Sequence, residues 1–296
     1  MELNTPHQEW DLEIKPHDTV FNLHLKDVWN YRDLLWLLVR RDFVSFYKQT
    51  VLGPLWFFIQ PIFTTIVFTF IFGNLAGIST DNIPKPLFYM AGTIAWNYFA
   101  DCLTKTSTVF KDNANIFGKV YFPRLIMPLS IVFSNLVKFG VQFALFLIVF
   151  VYYLIQYHYF PENLEPGEKV EPNLLLLLFP VLIIFMAILG LGLGLIITAL
   201  TTKYRDLAFV VTFGMQLLMY ATPVIYPYAE ALKKSYHLVV TLNPMTGLIE
   251  TFRYGFTGGG QFYLWPFIYS IVASLVLFMI GLIIFNKVEK DFVDTV

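Results

Sequence analysis

Five stretches of the chain carry no Asp, Glu, Lys or Arg: 49–80, 139–161, 172–202, 207–229 and 254–286. Each exceeds the roughly 20 residues that an α-helix needs to cross a hydrocarbon core. A backbone in lipid must hydrogen-bond to itself, so runs of this length predict helices. Strands of a membrane barrel would alternate apolar and polar residues over about ten positions. A run such as Leu174-Leu175-Leu176-Leu177-Leu178 does not alternate. The pattern predicts an all-α integral membrane protein with six spans, at 53–74, 86–108, 123–156, 174–200, 207–226 and 262–286. The second is the least apolar, because it contains Asp101 and Lys105. The six form one transmembrane domain over 53–286, between a polar tail at 1–24 with its following segment and a polar tail at 287–296.

Two further segments are amphipathic. Over 25–52, Trp29, Trp36 and Phe43 recur every seventh residue, with Val39 and Tyr47 beside them; Lys26, Asn30, Arg41 and Lys48 lie largely opposite. That pattern suits a helix lying in the membrane interface or packed on other protein, and the two readings are compatible. Residues 227–260 are too aromatic for a free loop, yet they carry Glu230, Lys233, Lys234, Glu250 and Arg253. Asn243-Pro244 suits a helix start, since Asn caps well and Pro fits the first turn. Gly258-Gly259-Gly260 ends it. The expectation is two short re-entrant helices that dip into the outer leaflet without crossing; the alternative is an amphipathic surface loop.

Charge orients the spans. One side collects Lys15, Lys26, Arg32, Arg40, Arg41 and Lys48, then Lys111, Lys119 and Arg124, then Lys203 and Arg205, and finally Lys287 and Lys290. The other side holds only Lys85, Lys169, Lys233, Lys234 and Arg253. The excess predicts both termini in the cytoplasm. The first 24 residues, with Glu2, Glu9 and Asp11, lack the early apolar segment of a secretory signal. Only 14% of residues are charged, against about 25% in soluble domains. A net charge of −1 gives no sign of a nucleic-acid partner.

Ionisable groups at membrane depth face other helices or water. Asn97, Asp101 and Lys105 form one stripe, and Ser130, Ser134, Lys138 and Gln142 another. Each is either a wet face lining a pathway or a structural pairing inside the bundle. With the cytoplasmic ends of the spans taken as level, Asp101 lies ~10 Å deep and Lys138 ~21 Å, at about 1.5 Å per residue. Lys105, one turn away, is therefore the expected partner of Asp101. Gly190, Gly192 and Gly194 read as close helix packing, and the single cysteine, Cys102, as packing too. The five histidines have no metal-ligand spacing, and Gly118-Lys119 is followed by Val120, which is no phosphate-binding loop. The chain is not expected to be an enzyme by itself or to hold a metal or cofactor. What remains is a membrane pathway. The short polar, aromatic connector Val109–Phe122 offers a helix that presses on a cytoplasmic partner.

Five segments carry a family resemblance: RRDFVSFYKQTVLGPLWFFIQP at 40–61, NIFGKVYFPRLIMPLS at 115–130, TTKYRDLAFVV at 201–211, TPVIYP at 222–227 and LNPMTGLIETFRYGF at 242–256. In this order the chain resembles the membrane permease subunits of ABC exporters for bacterial surface polysaccharides (O-antigen, capsule and teichoic acid), which have the type-2 ABC exporter fold. The resemblance covers nearly the whole chain. It implies a homodimer around a central conduit in the bacterial plasma (inner) membrane, carrying a lipid-linked polysaccharide. Two separate ATP-binding cassette subunits would dock beneath and hold the ATP and Mg. By the same resemblance, 109–119 match a coupling helix, with Lys111, Asp112, Asn113, Ile116 and Phe117 meeting the ATPase. Residues 29–48 match an interface helix, Tyr204, Arg205 and Asp206 a cytoplasmic gate, and 228–256 the re-entrant helices. Spans 1 and 5 are expected to line the conduit, with Trp56, Phe57, Phe63, Phe213 and Tyr220 as faces along which sugar rings slide. The plain alternative for each aromatic is lipid contact or core packing.

Three other readings stay open at this point. One is a permease of the same architecture for a drug or lipid. Another is a membrane transferase using Glu250 or Asp101, neither of which has an obvious partner in the sequence. The third is an ion-coupled transporter with Asp101 and Lys138 as coupling groups.

Overall fold

A computed structural model describes residues 25–48, 50–117, 122–204 and 206–293, and all regular structure among them is helical. The chain enters through α1 (Leu25–Asn30) and α2 (Arg32–Tyr47). Gly53, at φ +54, takes a left-handed turn that favours glycine, and Pro54 then starts a short 3-10 stretch into α3 (Trp56–Phe68). α3 contains Pro61 and continues as a π-helical segment, Thr69–Leu75. α4 (Lys85–Ser107) follows, then two single-turn helices, α5 (Val109–Asp112) and α6 (Ala114–Phe117). α7 (Ile126–Tyr159) is the longest helix. Asn173 caps a 3-10 stretch, Leu174–Leu178, by accepting a bond from Leu175 N, and this leads into α8 (Phe179–Lys203). α9 (Leu207–Tyr220), α10 (Tyr228–Leu232), α11 (His237–Thr241), α12 (Pro244–Thr257) and α13 (Leu264–Val293) complete the chain.

Among the described residues, four helical stretches are long and apolar enough to cross a membrane: Gly53–Leu75, Ile126–Tyr159, Leu174–Lys203 and Leu264–Lys287. α9 is apolar but only 14 residues long. The continuous helix expected over 207–226 stops at Tyr220. Pro223 has no N–H to continue the ladder and disfavours helical geometry at Thr222, so 221–227 form an elbow. The region after it holds three short helices rather than two. α12 begins as the sequence indicates: Asn243 Oδ1 accepts from Met245 N at 3.0 Å and Pro244 occupies the first turn. It ends on Gly258 in the left-handed conformation, φ +65.

α4 is the hub. It packs against α3, α7, α8, α9 and α12, and Leu87, Phe88, Tyr89, Ile94, Phe99 and Cys102 along it are all buried. Protein encloses most of this helix, so Asn97 and Asp101 sit partly buried against other helices, while Lys105 is exposed in its last turn. α8 runs between α4 and α13, and its glycines serve both neighbours. A Cβ at Gly190 would lie 2.8 Å from Cys102 Cβ, and one at Gly194 would lie 2.6 Å from Thr106 Cβ; both face α4. A Cβ at Gly192 would lie 2.6 Å from Phe278 Cα on α13. These backbones approach closely because the glycines have no side chain there.

Candidate functional site

The connector after α4 is anchored before it is exposed. Val109 and Phe110 are buried, and Phe110 stacks on Phe285 of α13 with centroids 5.1 Å apart. Thr198 Oγ1 on α8 donates to Thr106 O at 2.7 Å, and Thr201 Oγ1 donates to Ser107 O. Above this anchor, Lys111 and Asp112 are exposed. Asp112 accepts from Thr108 Oγ1 at 2.6 Å, and Asn113 Nδ2 donates to Val109 O at 3.0 Å, so both close the turn locally. Ile116 is half-buried against the core. Nothing is described for the side chain of Phe117 or for residues 118–121. The family resemblance named Lys111, Asp112, Asn113, Ile116 and Phe117, of which Lys111 and Asp112 are exposed, and passed over the anchor, Val109 and Phe110. Its signal was two apolar residues immediately after a helix end.

The turn between α8 and α9 exposes Tyr204, with Lys203 Nζ 5.4 Å from its ring centroid. Asp206 stands at the N-cap of α9 without a side-chain capping bond. Arg205 lies outside the described residues.

Between α4 and α7 runs a polar seam whose pairing differs from the expectation. Asp101 Oδ2 accepts from Lys138 Nζ at 2.7 Å, not from Lys105. Lys105 Nζ instead donates to Asn135 Oδ1 at 2.8 Å, and Asn135 Nδ2 reaches Cys102 Sγ at 4.0 Å. The expectation failed because it set the helix ends level. In this antiparallel register Asp101, about six residues before the end of α4, meets Lys138, about twelve after the start of α7, so the first turns of α7 extend past the end of α4 by about six residues, or ~9 Å. Asn97, on the same stripe, is half-buried. Asp101 therefore has a partner.

So does Glu250. It accepts from Arg253 Nη1 at 3.1 Å and from Tyr228 N at 3.3 Å. Arg253 was counted among the loop charges, but only 1% of it is exposed. Its guanidinium also donates to Pro223 O at 2.5 Å and Val224 O at 2.6 Å, and it lies 3.8 Å from the Phe88 ring centroid. A Cβ at Gly92 would sit 2.3 Å from Arg253 Nη2, so glycine there makes the room. This clamp ties α12 to α4 and to carbonyls that the proline elbow leaves outside any helix. Nearby, burial pushes the Asp81 carboxyl above its ordinary value, against the pull of Arg253.

Of the five aromatics singled out on spans 1 and 5, four are exposed. Trp56 and Phe63 stand seven residues apart on α3, and Phe213 and Tyr220 seven apart on α9. Phe57 departs from the expectation. It is buried, and its ring stacks against Phe43 of α2 with centroids 5.9 Å apart. Phe70 and Phe209, not singled out from sequence, extend the two exposed stripes. Each follows from helical periodicity alone: Phe70 is Phe63 plus seven and Phe209 is Phe213 minus four.

Residues 33–257 match the family described as "ABC-2 type transporter". The chain belongs to the ABC-2 type transporter family. Two curated relatives from Klebsiella pneumoniae and Myxococcus xanthus are each named "O-antigen export system permease protein RfbA". The first is 29% identical over 88% of this chain and 94% of its own length. The second is 27% identical over 92% of this chain and 98% of its own. Another Klebsiella pneumoniae protein of the same name is 28% identical over 88% of this chain. As an ABC-2 family member with four helices among the described residues long and apolar enough to cross a membrane, the chain is a multi-pass membrane protein.

Proposed function

We propose that this chain is the membrane subunit of an ATP-driven exporter that moves a lipid-linked polysaccharide across the bacterial plasma membrane. The observation that carries this reading is the near full-length likeness to O-antigen export permeases, up to 98% of a relative's length. In this reading α4 and α9 join the four long helices as six spans, with both termini cytoplasmic and α10–α12 re-entrant on the outer side. The chain would divide into a tail at 1–24, an interface helix within 25–52, a membrane domain at 53–286 and a tail at 287–296.

Two copies would face each other across a conduit. The exposed stripes of α3 and α9, including Trp56, Phe63, Phe213 and Tyr220, support this, because one chain leaves them uncovered. A hydrophilic glycan meets a prohibitive barrier in lipid, whereas aromatic faces offer weak, repeated contacts along which it slides. Phe57 would steady the interface helix instead of lining the path.

ATP hydrolysis would belong to two separate cassette subunits bound under α5 and α6. Lys111, Asp112, Asn113, Ile116 and Phe117 would receive their motion, and the Phe110–Phe285 stack would pass it to α13. Tyr204, Arg205 and Asp206 would gate the cytoplasmic mouth. Asn97 and the Asp101–Lys138 pair would be structural. A deletion strain should accumulate undecaprenyl-linked glycan inside and lose it from the surface, with recovery on re-expression. Normal surface glycan together with loss of a drug or lipid export activity would favour a permease of different cargo.

A further inference from the structure

A cavity of about 270 Å³ opens where α2, α3, α4 and α7 meet, walled by Asp42, Phe43, Phe57, Lys105, Ser134 and Lys138 among others. We propose that it binds the phosphate group of a membrane lipid. Charge bookkeeping on its wall leaves one cation over. Asp42 Oδ1 is paired with Arg41 at 2.7 Å, and Lys138 with Asp101. Lys105 has only the neutral Asn135 amide oxygen and no carboxylate in ion-pair range among the described residues. An ammonium carries three donors and uses one here. Ser134 Oγ is buried without a hydrogen-bond partner among the described residues, so a second donor is unspent at the same wall.

The rest of the wall suits a lipid and not a free anion. The Phe43–Phe57 stack and Ile131 give it an apolar side. Its level follows from its parts: an amphipathic helix, the first turn of α3 and the last turn of α4. With the orientation given under Proposed function, on which this inference rests, that is the cytoplasmic headgroup zone. Basic pockets between helices on that side bind anionic lipid headgroups. Two sources share the chemistry: an anionic glycerophospholipid and an isoprenoid diphosphate carrier.

Native mass spectrometry of the full-length protein in non-ionic detergent, titrated with phosphatidylglycerol, undecaprenyl diphosphate and inorganic phosphate, tests it. One lipid should bind per chain. Affinity should fall about tenfold in Lys105→Gln, and stay near wild type in Lys105→Arg. Ser134→Ala breaks no internal hydrogen bond, so it should fold normally and bind about threefold more weakly. Tighter binding of undecaprenyl diphosphate assigns the site to the carrier, and tighter binding of phosphatidylglycerol assigns it to a structural lipid; either supports the proposal. Unchanged lipid binding in both Lys105→Gln and Ser134→Ala would overturn it. So would equal competition by inorganic phosphate. Binding is read without transport, so failure of the export reading is seen separately in the deletion strain.

Discussion

α4 and the α3–α9 pair are both apolar helices of one bundle, yet they occupy opposite environments. α4 carries Asn97, Asp101 and Lys105 and is buried for most of its length. α3 and α9 carry no charged residue and expose Trp56, Phe63, Phe213 and Tyr220. In water the more polar helix would be the outer one. In a membrane the ranking inverts, because unpaired charge is costly in lipid and tolerable against protein. Hydropathy here therefore reports what a helix faces, not whether it is interior.

The sharpest break of this comparison is Gly190→Leu. A Cβ there already lies 2.8 Å from Cys102 Cβ and 3.0 Å from Phe99 O, so α8 must leave the hub. The expected outcome is loss of the monodisperse species in size-exclusion chromatography. Next is Lys138→Ala, which strands Asp101 in the seam. The pair is partly exposed, so the cost is about 2 kcal/mol, below the roughly 3–5 kcal/mol of a fully buried pair. Adding Asp101→Asn should recover much of it, while Lys105→Ala should cost less than Lys138→Ala. Equal damage from the two lysine variants in a thermal-denaturation series would remove the seam pairing. Smaller again in stability is Phe110→Leu, which keeps most of the buried volume but takes away the stack on Phe285. It should weaken the link between ATP turnover and export more than it lowers expression. The smallest effect on folding belongs to Phe63→Ala and Phe213→Ala, about 0.5 kcal/mol or less for side chains the chain does not cover. Their effect should appear in export rate.

The long apolar helices were legible because unbroken hydrophobic length has one explanation in a membrane. The Asn243-Pro244 start and Gly258 end of α12 were legible because caps are local chemistry. What failed was non-local. The partner of Asp101 depended on the axial offset between α4 and α7, and helix lengths alone do not give an offset. Arg253 read as a loop charge because nothing near it in sequence shows that the Pro223 elbow frees two carbonyls or that Gly92 leaves space. Phe57 and Phe63 look alike along the chain; only the approach of α2 buries one of them. Phe110 became an anchor only through Phe285, far away in sequence.

Reactivity toward a membrane-impermeant maleimide in the assembled, exporting complex tests the inverted arrangement most directly. Native Cys102 on α4 serves as the internal control against Phe63→Cys and Phe213→Cys introduced singly. The account predicts that both introduced thiols are labelled and that Cys102, buried beneath Gly190, stays unmodified. Labelling of Cys102 with silence at positions 63 and 213 would contradict it.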